Sequence, residues 1–175
     1  MFKAGIINNF VKNNKITSII EYGCGDGNQL RFSEYPQYIG FDISQKAISL
    51  CEEIFYNDSN KIFKLMREYS GETAQLTLSL DVIYHLIEDD IFYHYMERLF
   101  NSSVQFVIIY SSNTDSNIRN EDPHVKHRSF EKWIEETYQL KKCQWRLIHH
   151  IPNKFPFTGD YDKGSLADFY IYKKV

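Results

Sequence analysis

The chain has 175 residues, of which 43% are apolar and 16% aromatic, so it can bury a hydrophobic core and is unlike a disordered protein. Its formal net charge of −3 gives no general electrostatic reason to bind nucleic acid. No stretch approaches the ~20 apolar residues of a membrane span, and the first residues lack a secretory signal. Three cysteines without a CxxC pair fit reduced thiols. We therefore expect one cytoplasmic domain, residues 1–175, with no membrane partner.

Helices and strands are predicted to alternate along the chain. Apolar residues at helical spacing predict helices at residues 3–13, 45–56, 89–100 and 129–138, with Ser44 as the N-cap of the second. Strands are predicted at residues 17–22, 38–43, 61–66, 76–83, 104–110, 143–151 and 167–174. Strands separated by helices favour an α/β fold with a doubly wound, mostly parallel sheet. A loop joins the last two strands, which permits a C-terminal antiparallel strand in this seven-stranded sheet.

A glycine-rich turn follows the first predicted strand. Residues 17–27 read T-S-I-I-E-Y-G-C-G-D-G, so the acid Glu21 precedes glycines on alternate positions, Gly23, Gly25 and Gly27. Glycine permits a positive φ and has no Cβ to hold a ligand away from the backbone. The pattern predicts a turn whose backbone closely approaches a bound molecule.

The second predicted strand ends in another acid, Asp42. In an α/β sheet the carboxyl ends of neighbouring strands border the ligand crevice, so this carboxylate is placed to hold the two hydroxyls of a ribose. A dinucleotide fingerprint would need G-x-G-x-x-G, and Asn28 stands where its third glycine would be. The spacing therefore argues against NAD, while a glycine-rich turn without a ligand stays the alternative.

Glu21 followed by G-x-G-x-G, with Asp42 after the next strand, resembles motif I of the class I, Rossmann-like S-adenosylmethionine-dependent methyltransferases. The resemblance covers essentially the whole chain, because that family also has seven strands with the last one antiparallel. It implies S-adenosyl-L-methionine as the cofactor, with Glu21 and the glycines at its methionine end and Asp42 at its ribose. The cofactor-binding residues that it implies are Glu21, Gly23, Cys24, Gly25, Gly27, Asp42, Ile43, Leu80 and Asp81.

Residues 78–90, L-S-L-D-V-I-Y-H-L-I-E-D-D, resemble the segment that follows the fourth strand of small-molecule methyltransferases. By this match Leu80 and Asp81 lie against the methionine moiety, and His85 lies near the donated methyl group. Histidine titrates in a range suited to accepting a proton from an alcohol, so His85 is the first candidate for a general base. A histidine that only caps the turn is the alternative. Tyr84 stands where the family often has Glu, and Gln75 where an Asp usually starts the strand.

A long polar loop follows the fifth predicted strand and is expected to line the acceptor pocket. Its His124, His127 and Arg128 suit an anionic or polyhydroxylated acceptor, and we expect them to converge with His85 on one pocket beside the methyl group. The predicted catalytic residues are His85, His124 and His127, and the predicted acceptor-binding residues are Tyr84 and Arg128. No third ligand has a recognisable spacing, so no metal is expected. A solvated loop is the alternative.

Two segments near the C-terminus, the aromatic one that starts at Phe155 and residues 160–162, have the same two interpretations. They either fold over this acceptor pocket or form an ordinary hairpin loop. Residues 81–90, 107–113 and 124–130 resemble short bacterial methyltransferases of surface-polysaccharide pathways, which implies a nucleotide sugar, a glycan or a phosphorylated metabolite as acceptor.

The leading hypothesis is methyl transfer to an oxygen or nitrogen of a small polar molecule. One alternative is a nucleic-acid or protein methyltransferase, against which stand the missing N-P-P-Y-like segment and the missing basic stripe. The other is a non-catalytic module that only binds S-adenosylmethionine.

Overall fold

The computed structural model describes residues 2–117, 123–139, 145–160 and 162–175. Its helices are α1 (Phe2–Asn13), α2 (Gln45–Ile54), α3 (Asp89–Asn101) and α4 (Phe130–Gln139). Its strands are β1 (Ser18–Tyr22), β2 (Gln37–Asp42), β3 (Lys61–Leu65), β4 (Ala74–Leu80), β5 (Ser103–Ser111), β6 (Trp145–Ile151) and β7 (Asp168–Lys174). Short 3₁₀ helices cover Leu30–Phe32, Met66–Glu68 and Ile83–His85. Within the described ranges, no helix combines the length and the apolar character that crossing a membrane requires.

The strands that the structure describes form one sheet in the order β3-β2-β1-β4-β5-β7-β6. Strands β1 to β5 pair in parallel, while β7 runs antiparallel to both β5 and β6. The predicted fold class is thereby confirmed, including the antiparallel end. The chain moves outwards from β1 to β3 and then returns to place β4 on the other side of β1. This reversal creates the switch point at which ligands bind in open α/β sheets.

Helices cover both faces of the sheet. Ile7 of α1 and Ile48 of α2 belong to the core on one face, whereas Met96 of α3 and Ile134 of α4 belong to the core on the other. The central strands are apolar on both faces for this reason, with successive residues of β1 and β5 alternating between the two cores. Ser44 accepts a hydrogen bond from the backbone N–H of Ala47 at 3.3 Å, so its predicted role as N-cap of α2 is confirmed.

Strand β4 differs most from its prediction, because it ends at Leu80 rather than at residue 83. Asp81 takes a positive φ of 60°, and its N–H donates to the carbonyl of Tyr110 at 2.9 Å. The chain then turns away from the sheet into the Ile83–His85 3₁₀ helix. The first two residues of the predicted sixth strand, 143 and 144, lie outside the described residues.

Candidate cofactor and acceptor site

The glycine-rich turn connects β1 to the 3₁₀ helix Leu30–Phe32 and passes beside the carboxyl end of β2. All three glycines have positive φ, at 81° for Gly23, 59° for Gly25 and 77° for Gly27. A Cβ on Gly23 would lie 2.4 Å from Val82 Cγ2, and one on Gly27 would lie 3.0 Å from Cys51 Sγ. A Cβ on Gly25 would meet no atom within 4 Å. The outer glycines are thus required by packing, whereas the backbone at Gly25 faces open space that a ligand can occupy.

Asp42 lies at the carboxyl end of β2, directly beside this turn. Its two carboxylate oxygens accept the N–H groups of Gly25 and Ser44, each at 2.9 Å. A carboxylate has about four acceptor positions, so both oxygens retain capacity for further hydrogen bonds, such as those from the hydroxyls of a ribose. The next side chain, Ile43, is 88% exposed and offers an apolar surface beside the carboxylate.

Glu21 lies behind the turn, at the end of β1, where its side chain is buried. The Tyr38 hydroxyl donates to Glu21 Oε2 at 2.7 Å. Burial nevertheless raises the pKa of Glu21 to about 7, because it removes water from the charged carboxylate, while the Tyr38 hydrogen bond and the Lys3 cation act in the opposite direction. Near neutral pH this carboxyl group is therefore poised to lose its proton when a positive charge arrives nearby.

Cys24, within the turn, lies beside Cys51 of α2, and both are free thiols. The Cys51 thiol donates to the carbonyl of Gly25 at 3.2 Å and so supports the turn from behind. Hydrogen bonding with Cys51 and burial both raise the pKa of the Cys24 thiol. The predicted contribution of Cys24 to a cofactor site can therefore come only from its backbone or from a protonated thiol.

The end of β4 brings together residues that are far apart in the chain. The Tyr84 hydroxyl donates to Asp81 Oδ1 at 2.9 Å, and the Lys3 ammonium of α1 donates to Asp81 Oδ2. Lys3 also lies over the Tyr110 ring, 4.5 Å from its centroid. Sequence reasoning identified Asp81 but missed Lys3 and Tyr110, because a single lysine on an amphipathic helix and a tyrosine ending an apolar strand carry no motif.

The loop after β5 packs against the segment after β4, as the adjacency of these strands predicts. His85 is exposed, and its Nδ1 lies 3.2 Å from the backbone carbonyl of His124. The N–H of Lys126 donates to the carbonyl of Tyr84 at 2.8 Å. The structure therefore brings His85 and His124 together. Residues 118–122 of this loop lie outside the described residues.

His127 is buried and differs from the other two histidines in its surroundings. Its Nδ1 lies 2.7 Å from Ser112 Oγ, and its ring centroid lies 6.3 Å from that of Tyr84. Burial lowers the pKa of His127, because it disfavours the charged imidazolium. In the part of the chain that the structure describes, no three His, Cys, Asp or Glu side chains are grouped to hold a metal ion.

Arg128 is buried and fully engaged with the segment that precedes α3. Its guanidinium donates to the carbonyls of Leu86 and Ile87, the latter at 2.6 Å, and to Asp89 Oδ1 at 2.8 Å. The same group lies over the Phe92 ring, 4.9 Å from its centroid. These contacts give Arg128 a structural role in fastening the two loops together, and its predicted contact with an acceptor stays a prediction.

The cavity next to the glycine turn, of about 580 Å³, opens on the α1 side of Tyr110. Its wall comes from the start of α1, the segment after the glycine turn, the end of β5 and the loop between β6 and β7. The lining residues are Phe2, Lys3, Ala4, Asn28, Gln29, Phe32, Tyr110, Asn153, Phe155, Asp162, Lys163, Gly164 and Ser165. The β6–β7 loop thus borders a cavity, but the predicted histidines are not in its described wall, so the expectation that the loop covers the same pocket as those histidines stays a prediction. Tyr161 lies outside the described residues.

The predicted acceptor residues lie away from this cavity. None of His85, His124, His127 and Arg128 is part of its described wall. His127 and Arg128 instead border a separate pocket of about 350 Å³ between α3, α4 and the loop after β5. The loops that carry these four residues contact each other, which agrees with the expectation that they converge on one pocket. The cavity of about 580 Å³ is not that pocket, and the expectation stays a prediction.

No family model matches this sequence, and no curated protein matches it either. Solved structures do match its fold. The methyltransferase domain of bacterial CtHen1 is 19% identical over 98% of this chain and 97% of that chain, with a TM-score of 0.64. The small RNA methyltransferase HEN1 is 18% identical over 98% of this chain and 25% of its own, with a TM-score of 0.69.

A third similar structure is the magnesium protoporphyrin IX methyltransferase ChlM from Synechocystis PCC 6803, which contains bound S-adenosylmethionine. It is 11% identical over 98% of this chain and 77% of that chain, with a TM-score of 0.65. At such identities the likeness establishes the fold, which is that of the S-adenosylmethionine-dependent methyltransferases. The activity has to be argued from the residues of the site, because one fold hosts many functions.

Proposed function

We propose that this protein transfers a methyl group from S-adenosylmethionine to an oxygen or nitrogen of a small polar acceptor. The observation that carries the proposal is the open backbone at Gly25, held by Asp42 at the switch point of the sheet. A glycine with positive φ whose Cβ position is empty, next to a carboxylate with free acceptor capacity, suits a ligand that carries a ribose. The fold supports the same cofactor.

Residues along the carboxyl ends of three strands would hold this cofactor. Asp42 would accept hydrogen bonds from the ribose hydroxyls, and the exposed side chain of Ile43 would cover one face of the adenine. Glu21, Leu80 and Asp81 would surround the methionine end, with the backbone of Gly23, Cys24, Gly25 and Gly27 beneath it. S-adenosylmethionine, when bound, supplies a methyl group that its positively charged sulfur activates. The positive charge of the bound cofactor would favour the ionised form of the buried Glu21 carboxyl group, which would then lose its proton.

The protein's own contribution to the transfer is mainly to hold two reactants in line, which can supply most of the rate of a bimolecular step. An alcohol acceptor also needs a group that accepts its proton. His85, His124 and His127 are the proposed bases. Burial raises the pKa of Tyr84, so Tyr84 stays protonated and donates to Asp81.

The acceptor that we propose is a nucleotide sugar, a glycan or a phosphorylated metabolite, the class implied by the resemblance to methyltransferases of surface-polysaccharide pathways. We expect the reaction to occur in the cytoplasm, where thiols such as Cys24 and Cys51 stay reduced.

RNA is the alternative acceptor, favoured by one observation. The CtHen1 domain matches this chain over nearly its whole length, and HEN1 is a small RNA methyltransferase. Against it stands the net charge of −3, since binding RNA phosphates needs a surplus of Lys and Arg. A non-catalytic module that only binds the cofactor is the second alternative, because the glycine turn would be the same.

Two measurements test the proposal. Calorimetry should show binding of S-adenosylhomocysteine that is tighter than binding of NAD, because Asn28 replaces the glycine that a pyrophosphate needs. A screen that detects release of S-adenosylhomocysteine should then compare nucleotide sugars, phosphorylated metabolites and short single-stranded RNA. Tighter NAD binding would overturn the cofactor assignment. Turnover on RNA alone would replace the acceptor class, and cofactor binding with no turnover would favour the non-catalytic module.

A further inference from the structure

The cavity beside α1 adjoins the proposed cofactor site at two points. Asn28 and Gln29 of its wall directly follow the glycine turn, and Tyr110 pairs in register with Leu80 at the end of β4. A molecule in this cavity would therefore lie next to the methionine end of a cofactor bound over Gly25. Its volume of about 580 Å³ is within the range of ordinary small-molecule sites.

Two of the aromatic rings in the wall of this cavity are exposed. Phe32 is 54% exposed and Phe155 is 59% exposed. They come from different parts of the chain, Phe32 from the 3₁₀ helix after the glycine turn and Phe155 from the β6–β7 loop. Exposed aromatic faces that border one cavity favour a planar, apolar part of a ligand, such as a ring.

The charged groups in the described wall are Lys3, Lys163 and Asp162, which sum to one positive charge in a protein whose net charge is −3. Lys163 is paired with Asp160 at 2.9 Å and its side chain is 77% exposed, so it belongs to the rim. Lys3 is only 25% exposed, and the Asp81 carboxylate with which it pairs is not part of the wall. The ammonium carries three N–H donors and gives one to Asp81, so it can also donate to an anion inside the cavity.

We propose that this cavity is the acceptor site and that it binds a planar ring joined to an anionic group, with the ring against Phe32 and Phe155 and the anion at Lys3. Because none of the three histidines is in the described wall, methyl transfer to this ligand would rely on placing the two reactants together. This inference rests on the proposed function, because only methyl transfer would make the bound molecule an acceptor. Binding of the molecule to the cavity can be measured without turnover. Two sources share this chemistry, namely an aromatic carboxylic acid and a nucleotide.

Tyr110 and Asn153 form the floor and keep the cavity in shape. The Asn153 amide donates to the Tyr110 hydroxyl at 2.6 Å and to the carbonyl of Ala167 at 2.9 Å, while Asn153 Oδ1 accepts the N–H of Phe155 at 2.9 Å. Asn153 therefore connects the aromatic wall of the β6–β7 loop to the end of β5.

The test measures binding of four probes to the 175-residue protein saturated with S-adenosylhomocysteine. UMP and 4-hydroxybenzoate carry a ring with an anion, whereas uridine and 4-hydroxybenzamide are their uncharged counterparts. We expect the anionic probes to bind about tenfold or more tightly than the uncharged ones, as a hydrogen bond between charged groups allows. Lys3→Met should remove this difference, Lys3→Arg should restore most of it, and Phe155→Ala should weaken all four probes.

Lys12→Met is the matched control, because it removes an exposed cation from the same helix as Lys3 but outside the described wall of the cavity, and it should change the affinities by less than about threefold. A preference for UMP would assign the ligand to the nucleotides, and a preference for 4-hydroxybenzoate to the aromatic acids. If S-adenosylhomocysteine binds but the anionic probes bind no better than the uncharged ones, or if Lys3→Met leaves the difference intact, the cavity assignment is wrong and the proposed function still stands. Failure of wild-type protein to bind S-adenosylhomocysteine would instead overturn the proposed function.

Discussion

The Tyr38 hydroxyl donates a 2.7 Å hydrogen bond to the Glu21 carboxyl group beneath the glycine turn. Both side chains are buried, so this hydrogen bond replaces only part of the water that Glu21 loses on folding. The pKa of Glu21 consequently rises from 4.5 to about 7. In the folded protein the Glu21 carboxyl group is therefore protonated below neutral pH, and a positive charge nearby would ionise it.

Stability should depend on pH through Glu21. The folded protein keeps this proton up to about pH 7, while the unfolded chain loses it near pH 4.5, so the folded state binds more protons in between. The free energy of unfolding should therefore fall as pH rises, by up to about 3 kcal/mol relative to Glu21→Gln, whose amide can accept the same hydrogen bond. Urea unfolding of both proteins between pH 5 and 8 measures this difference. The exposed Glu52→Gln should show no such trend, and a constant difference for Glu21→Gln would contradict the assignment.

Gly25→Ala separates backbone strain from ligand contact. Both Gly25 and Gly71 have positive φ and an empty Cβ position, so alanine at either should cost about 1–2 kcal/mol of stability through strain. Only Gly25→Ala should weaken S-adenosylhomocysteine binding, by about 1–3 kcal/mol, because its methyl group would enter the proposed cofactor space. Calorimetry and thermal unfolding on the pair measure both effects. Equal cofactor affinity in the two variants would show that no ligand approaches Gly25.

Asp42→Ala should weaken S-adenosylhomocysteine binding by roughly 1.5–3 kcal/mol, the scale of losing hydrogen bonds to a charged group. Part of that loss would come from the turn, because Asp42 also accepts the N–H of Gly25. Asp42→Asn removes the charge but keeps one of the two acceptor oxygens, so it should weaken binding less than Asp42→Ala. Asp58→Asn is its matched control, since Asp58 likewise accepts the N–H two residues later, at 3.1 Å from Asn60. Wild-type affinity in Asp42→Ala would count heavily against the ribose placement.

Replacing the proton-accepting histidine should lower kcat by about 10²–10⁴ and leave cofactor affinity nearly unchanged. The variants are His85→Ala, His124→Ala and His127→Ala, assayed with the acceptor that the screen identifies. His94→Ala is the control, because His94 is exposed on α3 and its Nδ1 lies near the carbonyl of Asp90. Losses below tenfold in all three variants would indicate that the protein works by placing the reactants together.

Arg128→Ala should destabilise the protein, because the partly buried carbonyls of Leu86 and Ile87 would lose the guanidinium donor. We expect a loss of about 1–3 kcal/mol in the free energy of unfolding. Lys126→Ala removes another cation that pairs with Asp89, at 2.7 Å and in an exposed place, and should change stability little. If Arg128→Ala leaves stability unchanged and raises KM for an anionic acceptor, the structural role is wrong and Arg128 binds the acceptor, as the sequence predicts.

The alternation of strands and helices could be predicted, because each central strand is a short apolar run bounded by polar turns. The predicted end of β4 was wrong, since the β-branched apolar pair Val82 and Ile83 is typical of a strand and follows Leu80 after a single acid. What ends the strand is the positive φ of Asp81, supported by a hydrogen bond to Tyr110. Gln75, a departure from the family pattern, accepts the N–H of Thr17 at 2.6 Å. Tyr110 and Thr17 are both far in sequence from the residues that they contact, so neither hydrogen bond could be predicted from local sequence.

The sequence by itself determined the glycine turn and its acid, because positive φ, a missing Cβ and the carboxyl end of a strand are local properties of residues 21–27 and 42. The tertiary structure alone decided which side chains face the cavity beside that turn. Lys3 meets Asp81 across 78 positions of the chain, and Asn153 meets Tyr110 across 43. Such contacts depend on how helices and loops pack over the ends of the strands. No periodicity or spacing in the sequence records that packing.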